Sequence, residues 1–325
     1  MSKDTEKIVE NLAKKLKWYK ILAIVFFILI FVVGFWSHTE ERREHSPSSK
    51  FSLIDPAREF ISQENFIINI QPLREYLSSL GEKYPDNISV YYEQLNSGAN
   101  ISVNKDLKLY VASMIKLPIA MVAVKQVEKG VWSWDTKFTI QGEDVDQDSG
   151  NLYKNTINFD PENDTLTVEQ LLNALLVESD NTAQSIFVRN IPKENFDEFE
   201  EEIGLKEVFD DTGHASAKEY SRILRSLYTS SFLQRKNSQK ILELLSKSEF
   251  KNFLSTGVPA DITFAHKYGE NANENIFADT GIVYIANKPY MITVILKSKD
   301  TSEESIKWAK DLMHEISKKA YEVSK

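Results

Sequence analysis

Apolar positions along the chain follow three successive patterns. From Ile21 to Trp36 sixteen consecutive residues are apolar, a run that, with Trp18 and Tyr19 ahead of Lys20, approaches the ~20 residues needed to span a hydrocarbon core. From His38 to about Asp55 charge mixes with Ser and Pro and no period is kept, which reads as a spacer. Beyond it the periods of folded structure begin. Leu73, Tyr76, Leu77 and Leu80 predict a helix that breaks at Gly81 and Pro85. Ile88 to Leu95, the turn residues Asn96 to Asn100, and Ile101 to Val103 predict a hairpin. Leu117, Ala120, Met121, Val124 and Val127 predict a helix between Ala112 and Gly130, ended by the glycine and bent by Pro118. Thr167 with Gln170, and Ser216 with Glu219, form the pattern that satisfies orphan amides at a helix start. Ile262 to His266, Ile276 to Ile285 and Tyr290 to Leu296 are strand-like, and Thr301-x-x-Glu304 caps a last helix through about Ala320. Strands at both ends around a helical middle predict an α+β fold, an α/β sandwich whose antiparallel sheet comes from N- and C-terminal strands and carries an inserted all-helical lobe.

The flanks of the apolar run orient it. Lys14, Lys15, Lys17 and Lys20 crowd its N-terminal side, so the positive-inside tendency leaves that end cytoplasmic. Gly34, Phe35, Trp36 and Ser37 offer no small-x-small cleavage site, which favours an uncleaved anchor over a signal peptide. The expected organisation is a cytoplasmic N-terminus over 1–20, a transmembrane anchor over 21–37, an extracytoplasmic spacer over 38–55 and one domain over 56–325. Cysteine is absent, which removes disulfides, thiol nucleophiles and thiolate metal sites. The net charge of -9, with basic clusters only near the N-terminus, argues against a nucleic-acid partner. The five histidines are scattered without metal-ligand spacing, so neither a metal nor another cofactor is implied.

Candidate chemistry lies in three short segments. Ser113-Met114-Ile115-Lys116 opens the helix after the hairpin, where a spacing of three puts both side chains on one face. Ser-x-x-Lys also occurs at Ser102 and Ser248, so the spacing alone carries little; Ser113 differs in following a strand and in sitting at a helix N-terminus whose amides suit an oxyanion. Ser179-Asp180-Asn181 follows a helix bearing Leu171, Leu172, Leu175 and Leu176, and reads by itself as helix capping. Lys267-Tyr268-Gly269-Glu270 leaves a strand, with a glycine that permits close backbone approach; alone it is an edge-strand lysine.

Together, and in this order, the segments resemble the Ser-x-x-Lys, Ser-Asp-Asn and Lys-Thr-Gly elements of the class A β-lactamases and penicillin-binding proteins. The resemblance covers about Ile88 to Ala320 and extends to Tyr110–Pro118, the run ending at Ala183 and Asp279–Tyr284. It implies that Ser113 attacks an acyl carbonyl, that Lys116 accepts its proton, and that Ser179 relays a proton to the leaving group. It implies further that Asn181 bonds the substrate's amide, that Lys267 attracts its carboxylate, and that the oxyanion lies between the amides of Ser113 and Glu270, with Gly269 alongside. A lysine that accepts a proton must be neutral, so burial and a nearby charge such as Lys267 are expected to lower its pKa from ~10.4. The chain departs from the family in having Tyr268 for the motif hydroxyl and no Glu-x-x-Leu-Asn segment, Glu207 being the nearest and a poor candidate for a deacylating base.

The resulting expectation is an extracytoplasmic, membrane-anchored serine hydrolase that forms an acyl-enzyme on Ser113 with a β-lactam or a D-alanyl cell-wall peptide. The alternative is a catalytically silent domain of the same fold that binds peptidoglycan fragments or a membrane partner.

Overall fold

The structure is a computed structural model and describes residues 15, 17, 18, 53, 68–146, 165–206, 208, 209 and 213–325. The chain divides into two compact units, Met1–Lys50 and Phe51–Lys325. The expected anchor over 21–37 lies outside the described residues, among which no helix is long and apolar enough to cross a membrane.

In the second unit the helix α1 (Gln71–Lys83) precedes a hairpin of β1 (Ile88–Gln94) and β2 (Asn100–Val103). After the two-residue β3 (Leu109–Tyr110) a 3-10 turn over Ala112–Ile115 runs directly into α2 (Lys116–Glu128). The expected single helix is therefore two, and Pro118 is the third residue of α2, where its missing N–H falls among donors that have no intrahelical partner in any case. Short strands β4 (Lys137–Thr139) and β5 (Thr165–Thr167) pair with each other and lead into α3 (Val168–Asn173), α4 (Asn181–Asn190) and α5 (Lys193–Ile203). The strand β6 (His214–Ala215) pairs with β3 and precedes α6 (Ala217–Thr229) and α7 (Arg235–Ser246). The expected capping boxes hold: Thr167 and Gln170, and Ser216 and Glu219, exchange side-chain and backbone bonds.

The chain then returns to the sheet as β7 (Phe264–Asn271), β8 (Ile276–Val283) and β9 (Tyr290–Lys297), and ends in α8 (Glu303–Ser324). The cap of α8 is Ser302, one residue later than expected, because Asp300 gathers Ser302 and Ser305 and leaves Ser302 to accept from the Ser305 amide. The sheet order is β2-β1-β9-β8-β7, antiparallel throughout, so the C-terminal strands insert beside the N-terminal hairpin. This is the predicted α+β arrangement with its inserted helical lobe.

Each sheet face has its own core. On one, α1 and α8 bring Leu73, Leu77, Met313 and Ile316 against Val90, Val294 and Leu296. On the other, the 3-10 turn, α2 and the helical lobe pack Met114, Leu117, Leu171 and Tyr220 against Ala265, Ala278 and Ile295. Strands buried on both faces read as near-continuous apolar runs rather than alternations, which is how β9 appears in the sequence, whereas the equally buried β8 carries Asp279 and Thr280, bonded to His266 and Thr293. Leu53 belongs to the second core: its amide donates to Gln239 Oε1 at 2.7 Å and its carbonyl accepts from the Tyr284 hydroxyl at 2.6 Å.

Candidate active site

Ser113 sits in the 3-10 turn between β3 and α2, and the residue before it, Ala112, has φ 49°, a left-handed conformation that side chains other than glycine adopt at a cost. A 3-10 turn eclipses positions i and i+3, so Lys116 stands directly under Ser113. Its Nζ donates to Ser113 Oγ at 2.8 Å and to Asn181 Oδ1 at 2.5 Å. The turn is braced from behind by the buried Tyr220, whose hydroxyl donates to Met114 O at 2.6 Å.

Ser179 and Asn181 flank the start of α4. A π-helical turn over Ala174–Glu178 ends in Ser179, which has φ 59° and ψ 39°. Such turns and left-handed non-glycine residues concentrate at functional sites. Asp180 is the residue that caps α4, accepting from the Ala183 amide at 2.8 Å. The capping reading of Ser-Asp-Asn therefore holds for the middle residue, and the two outer ones are left to face Lys116 and Lys267.

Lys267, Tyr268, Gly269 and Glu270 all lie inside β7, not beyond its end, because pairing with β8 continues as far as Asn271 opposite Ile276. Lys267 Nζ donates to Ser179 Oγ at 2.8 Å and to Tyr268 O at 3.0 Å. Gly269 faces the nucleophile turn so closely that an added Cβ would stand 2.8 Å from Ser113 N and 3.0 Å from both Met114 N and Val111 O. β7 is an edge strand, so alternate amides along it point away from β8. The Glu270 side chain is exposed. Tyr268 lays its ring on Phe250, with centroids 3.5 Å apart and planes at 10°, and Lys267 Nζ lies 4.3 Å from the same ring centroid. An aromatic wall thus stands where the family motif has a small hydroxyl residue.

Both lysines are 1% exposed. Burial lowers the Lys116 pKa from 10.5 to about 8, against the opposing pull of Asp180 and Asp146. The main agent is desolvation, and the two aspartates push the other way. Lys267 is held well below its ordinary value, first by burial and then by the positive Lys116, with Asp279 opposing. Burial raises the Tyr268 phenol, an effect the Ser179 side chain offsets in part.

All seven candidate residues are thus brought to one junction of the 3-10 turn, the α4 start and β7. Glu207 lies outside the described residues, and among the described residues no cluster of three potential metal ligands occurs. Sequence reading missed Asp146, which accepts from Asn181 Nδ2 at 2.9 Å, and the stacking partner Phe250. Neither is marked by periodicity or by a motif. Gln184, Ile115 and Ala112 also help line a cavity of about 490 Å³ between the nucleophile turn, α4 and α5.

Comparison with known proteins agrees with this fold. A β-lactamase of Pseudomonas aeruginosa, VEB-1, is 23% identical over 241 residues, 67% of this chain and 80% of its own length. The solved structure of PBP-A superposes with a TM-score of 0.67 at 20% identity, covering 78% of this chain and 96% of PBP-A. A β-lactamase structure from Sphaerobacter thermophilus gives a TM-score of 0.67 at 16% identity, covering 79% and 97%. The family model described as the β-lactamase enzyme family matches residues 72–324, and the chain belongs to that family of serine hydrolases, with the class A type of fold.

Proposed function

We propose that this enzyme is anchored in a membrane by residues 21–37, works outside the cytoplasm, and is acylated on Ser113 by a β-lactam or by a D-alanyl cell-wall peptide. The observation that carries the reading is the hydrogen bond between the buried Lys116 Nζ and Ser113 Oγ. In the neutral form Lys116 accepts the Ser113 proton as Oγ bonds to the acyl carbon. The oxyanion then rests on the amides of Ser113 and Glu270. Ser179 passes its hydroxyl proton to the leaving nitrogen and takes one back from Lys267, which donates to its Oγ, so the β-lactam C–N bond breaks with its electron pair protonated and no alkoxide is left behind. Lys267 attracts the substrate carboxylate. The sixteen-residue apolar run and its four preceding lysines support the location.

Slow deacylation follows from the missing Glu-x-x-Leu-Asn segment. A variant of PBP-A was solved as an acyl-enzyme complex with penicillin G, and a penicillin is the probe of choice here. Intact-mass analysis of the full chain in mild detergent is expected to find one penicilloyl adduct, absent from Ser113→Ala. The adduct should persist for minutes, far beyond the ~0.1 s turnover of a typical enzyme. Penicillin consumption without an accumulating adduct would mean fast hydrolysis instead; no adduct on folded protein would end the acylation reading.

Tyr268 bears on how the substrate carboxylate is held. Tyr268→Thr restores a short hydroxyl beside Lys267 and removes the stack on Phe250. Acylation by carboxylate-bearing β-lactams is expected to speed up about tenfold, the worth of one hydrogen bond to a charged group, while the melting temperature falls. An unchanged rate with a lowered melting temperature would reduce Tyr268 to a packing residue.

A further inference from the structure

We propose that Asp146 is a positioning residue for the nucleophile's partner: it holds the Asn181 amide so that the amide oxygen faces Lys116, and it places a negative charge two hydrogen bonds from the Lys116 nitrogen. The inference rests on the acylation reading above and goes beyond it.

An asparagine amide offers an acceptor on one side and donors on the other. Asn181 turns Oδ1 to Lys116 Nζ at 2.5 Å and Nδ2 to Asp146 Oδ2 at 2.9 Å. A carboxylate only accepts, so rotating the amide by half a turn would set oxygen against oxygen at Asp146 and nitrogen against ammonium at Lys116. Asp146 therefore fixes one of two orientations. The result is a continuous line of bonds from Ser113 Oγ through Lys116 and Asn181 to Asp146.

The loop bearing Asp146 is tied to the same helix that bears Asn181. The Asp146 amide donates to Thr182 Oγ1 at 3.0 Å. Arg189, two turns further along α4, grips both oxygens of the buried Asp144 at 2.9 and 2.7 Å and donates to Thr139 O at 2.9 Å. The Gln141 amide donates to Asp144 Oδ2 at 2.8 Å, closing the turn from within. One helix therefore supplies the amide and the anchors of the carboxylate that orients it, so their relative placement does not depend on distant parts of the fold.

The charges that face Lys116 are Asp146 from this loop, Asp180 from the α4 cap and Lys267 from β7. Burial is the largest influence and lowers the Lys116 pKa to about 8, with both aspartates raising it. Removing the Asp146 charge takes away part of that opposition, so Lys116 loses its proton at a lower pH. Because the neutral amine is the form that accepts the serine proton, the acid limb of the acylation profile must move down, not up.

The test is the pH dependence of second-order acylation by a fluorescent penicillin, on the full chain in mild detergent. Asp146→Asn is expected to shift the acid limb down by roughly half to one pH unit, a part of what a close opposite charge contributes. Asp146→Glu keeps the charge and should leave the limb near that of the unaltered protein, which a merely structural role would not predict. Superposable profiles for the unaltered protein and Asp146→Asn would overturn the proposal, as would an equal shift in Asp146→Glu. The Lys116 side chain is also followed by 13Cε NMR, assigned with Lys116→Arg. If the unaltered protein is not acylated at all, the acylation reading fails, and this titration alone decides whether Asp146 governs Lys116. Equal titration midpoints with and without the aspartate would again overturn it.

Discussion

Lys116→Met is expected to abolish acylation of Ser113 and yet leave the protein at least as stable at pH 7. General-base assistance contributes ~10²–10⁴-fold to rate, and methionine fills the space of the lysine stem without accepting a proton. The penicilloyl adduct should therefore form roughly a hundred- to ten-thousandfold more slowly in a stopped time course, a loss of the size such assistance supplies. Stability moves the other way because Lys116 is 1% exposed and burial brings its pKa from 10.5 to about 8. Below about pH 8 the lysine is charged in the folded and unfolded chain alike, and the folded state bears the whole penalty of the buried ammonium. Between about 8 and 10.5 the unfolded chain binds more protons, so stability rises with pH across that window and levels off above it. A shift of this size corresponds to about 3 kcal/mol. Methionine removes the penalty but strands Asn181 Oδ1, which costs about 1–3 kcal/mol, and the melting temperature should be unchanged or a few degrees higher. The rise of stability between about pH 8 and 10.5 should also flatten in the variant. Acylation within tenfold of normal would remove Lys116 from the base role, and a large loss of stability would mean that its bonds to Ser113 and Asn181 outweigh its desolvation.

How much of this site can be read from the sequence depends on where its constraints originate. Ser113 and Lys116 are visible because their relation is local: three residues apart on a helical backbone, they meet in an α-helix or, as here, in a 3-10 turn. The capping boxes at Thr167 and Ser216 are visible for the same reason. Lys267 is visible as a residue but not in its setting, since the end of β7 is decided by pairing with β8, twelve or so residues on, and not by its own apolar pattern. The left-handed Ala112 and Ser179 leave no trace because neither is the glycine or asparagine that normally announces such a conformation. Asp146 is wholly tertiary: one acidic residue in a polar loop, brought to Asn181 by Arg189 and Thr182 on a helix that begins thirty-five residues later. Burial and a nearby positive charge such as Lys267 are the causes the sequence leads one to expect for a lowered Lys116 pKa, and burial is indeed the largest; the opposing pull of Asp180 and Asp146 is the part the sequence does not show.

Gly269→Ala is expected to impair acylation by a different route, through the oxyanion site rather than the base. The methyl group would lie 2.8 Å from Ser113 N and 3.0 Å from Met114 N and Val111 O, all backbone atoms that cannot swing aside. Either the nucleophile turn or the edge strand must move, and both carry a proposed oxyanion donor, at Ser113 and at Glu270. Donors act only when they are set for the position that the oxyanion will occupy, and losing one typically costs 10²–10³ in rate. Acylation should thus fall by about that factor at every pH, with the acid limb still placed by Lys116, because its bonds run to the side chains of Ser113 and Asn181 and not to the backbone atoms that the methyl group meets. Overpacking of this kind costs about 1–3 kcal/mol, and a melting curve will separate a folded but slow enzyme from an unfolded one. A pH-independent loss with a modest fall in melting temperature would tie the family's glycine to clearance for the oxyanion. An alanine variant that acylates at the normal rate would show that the turn and strand part without disturbing the donors, and would move the oxyanion away from the junction of Ser113 and Glu270.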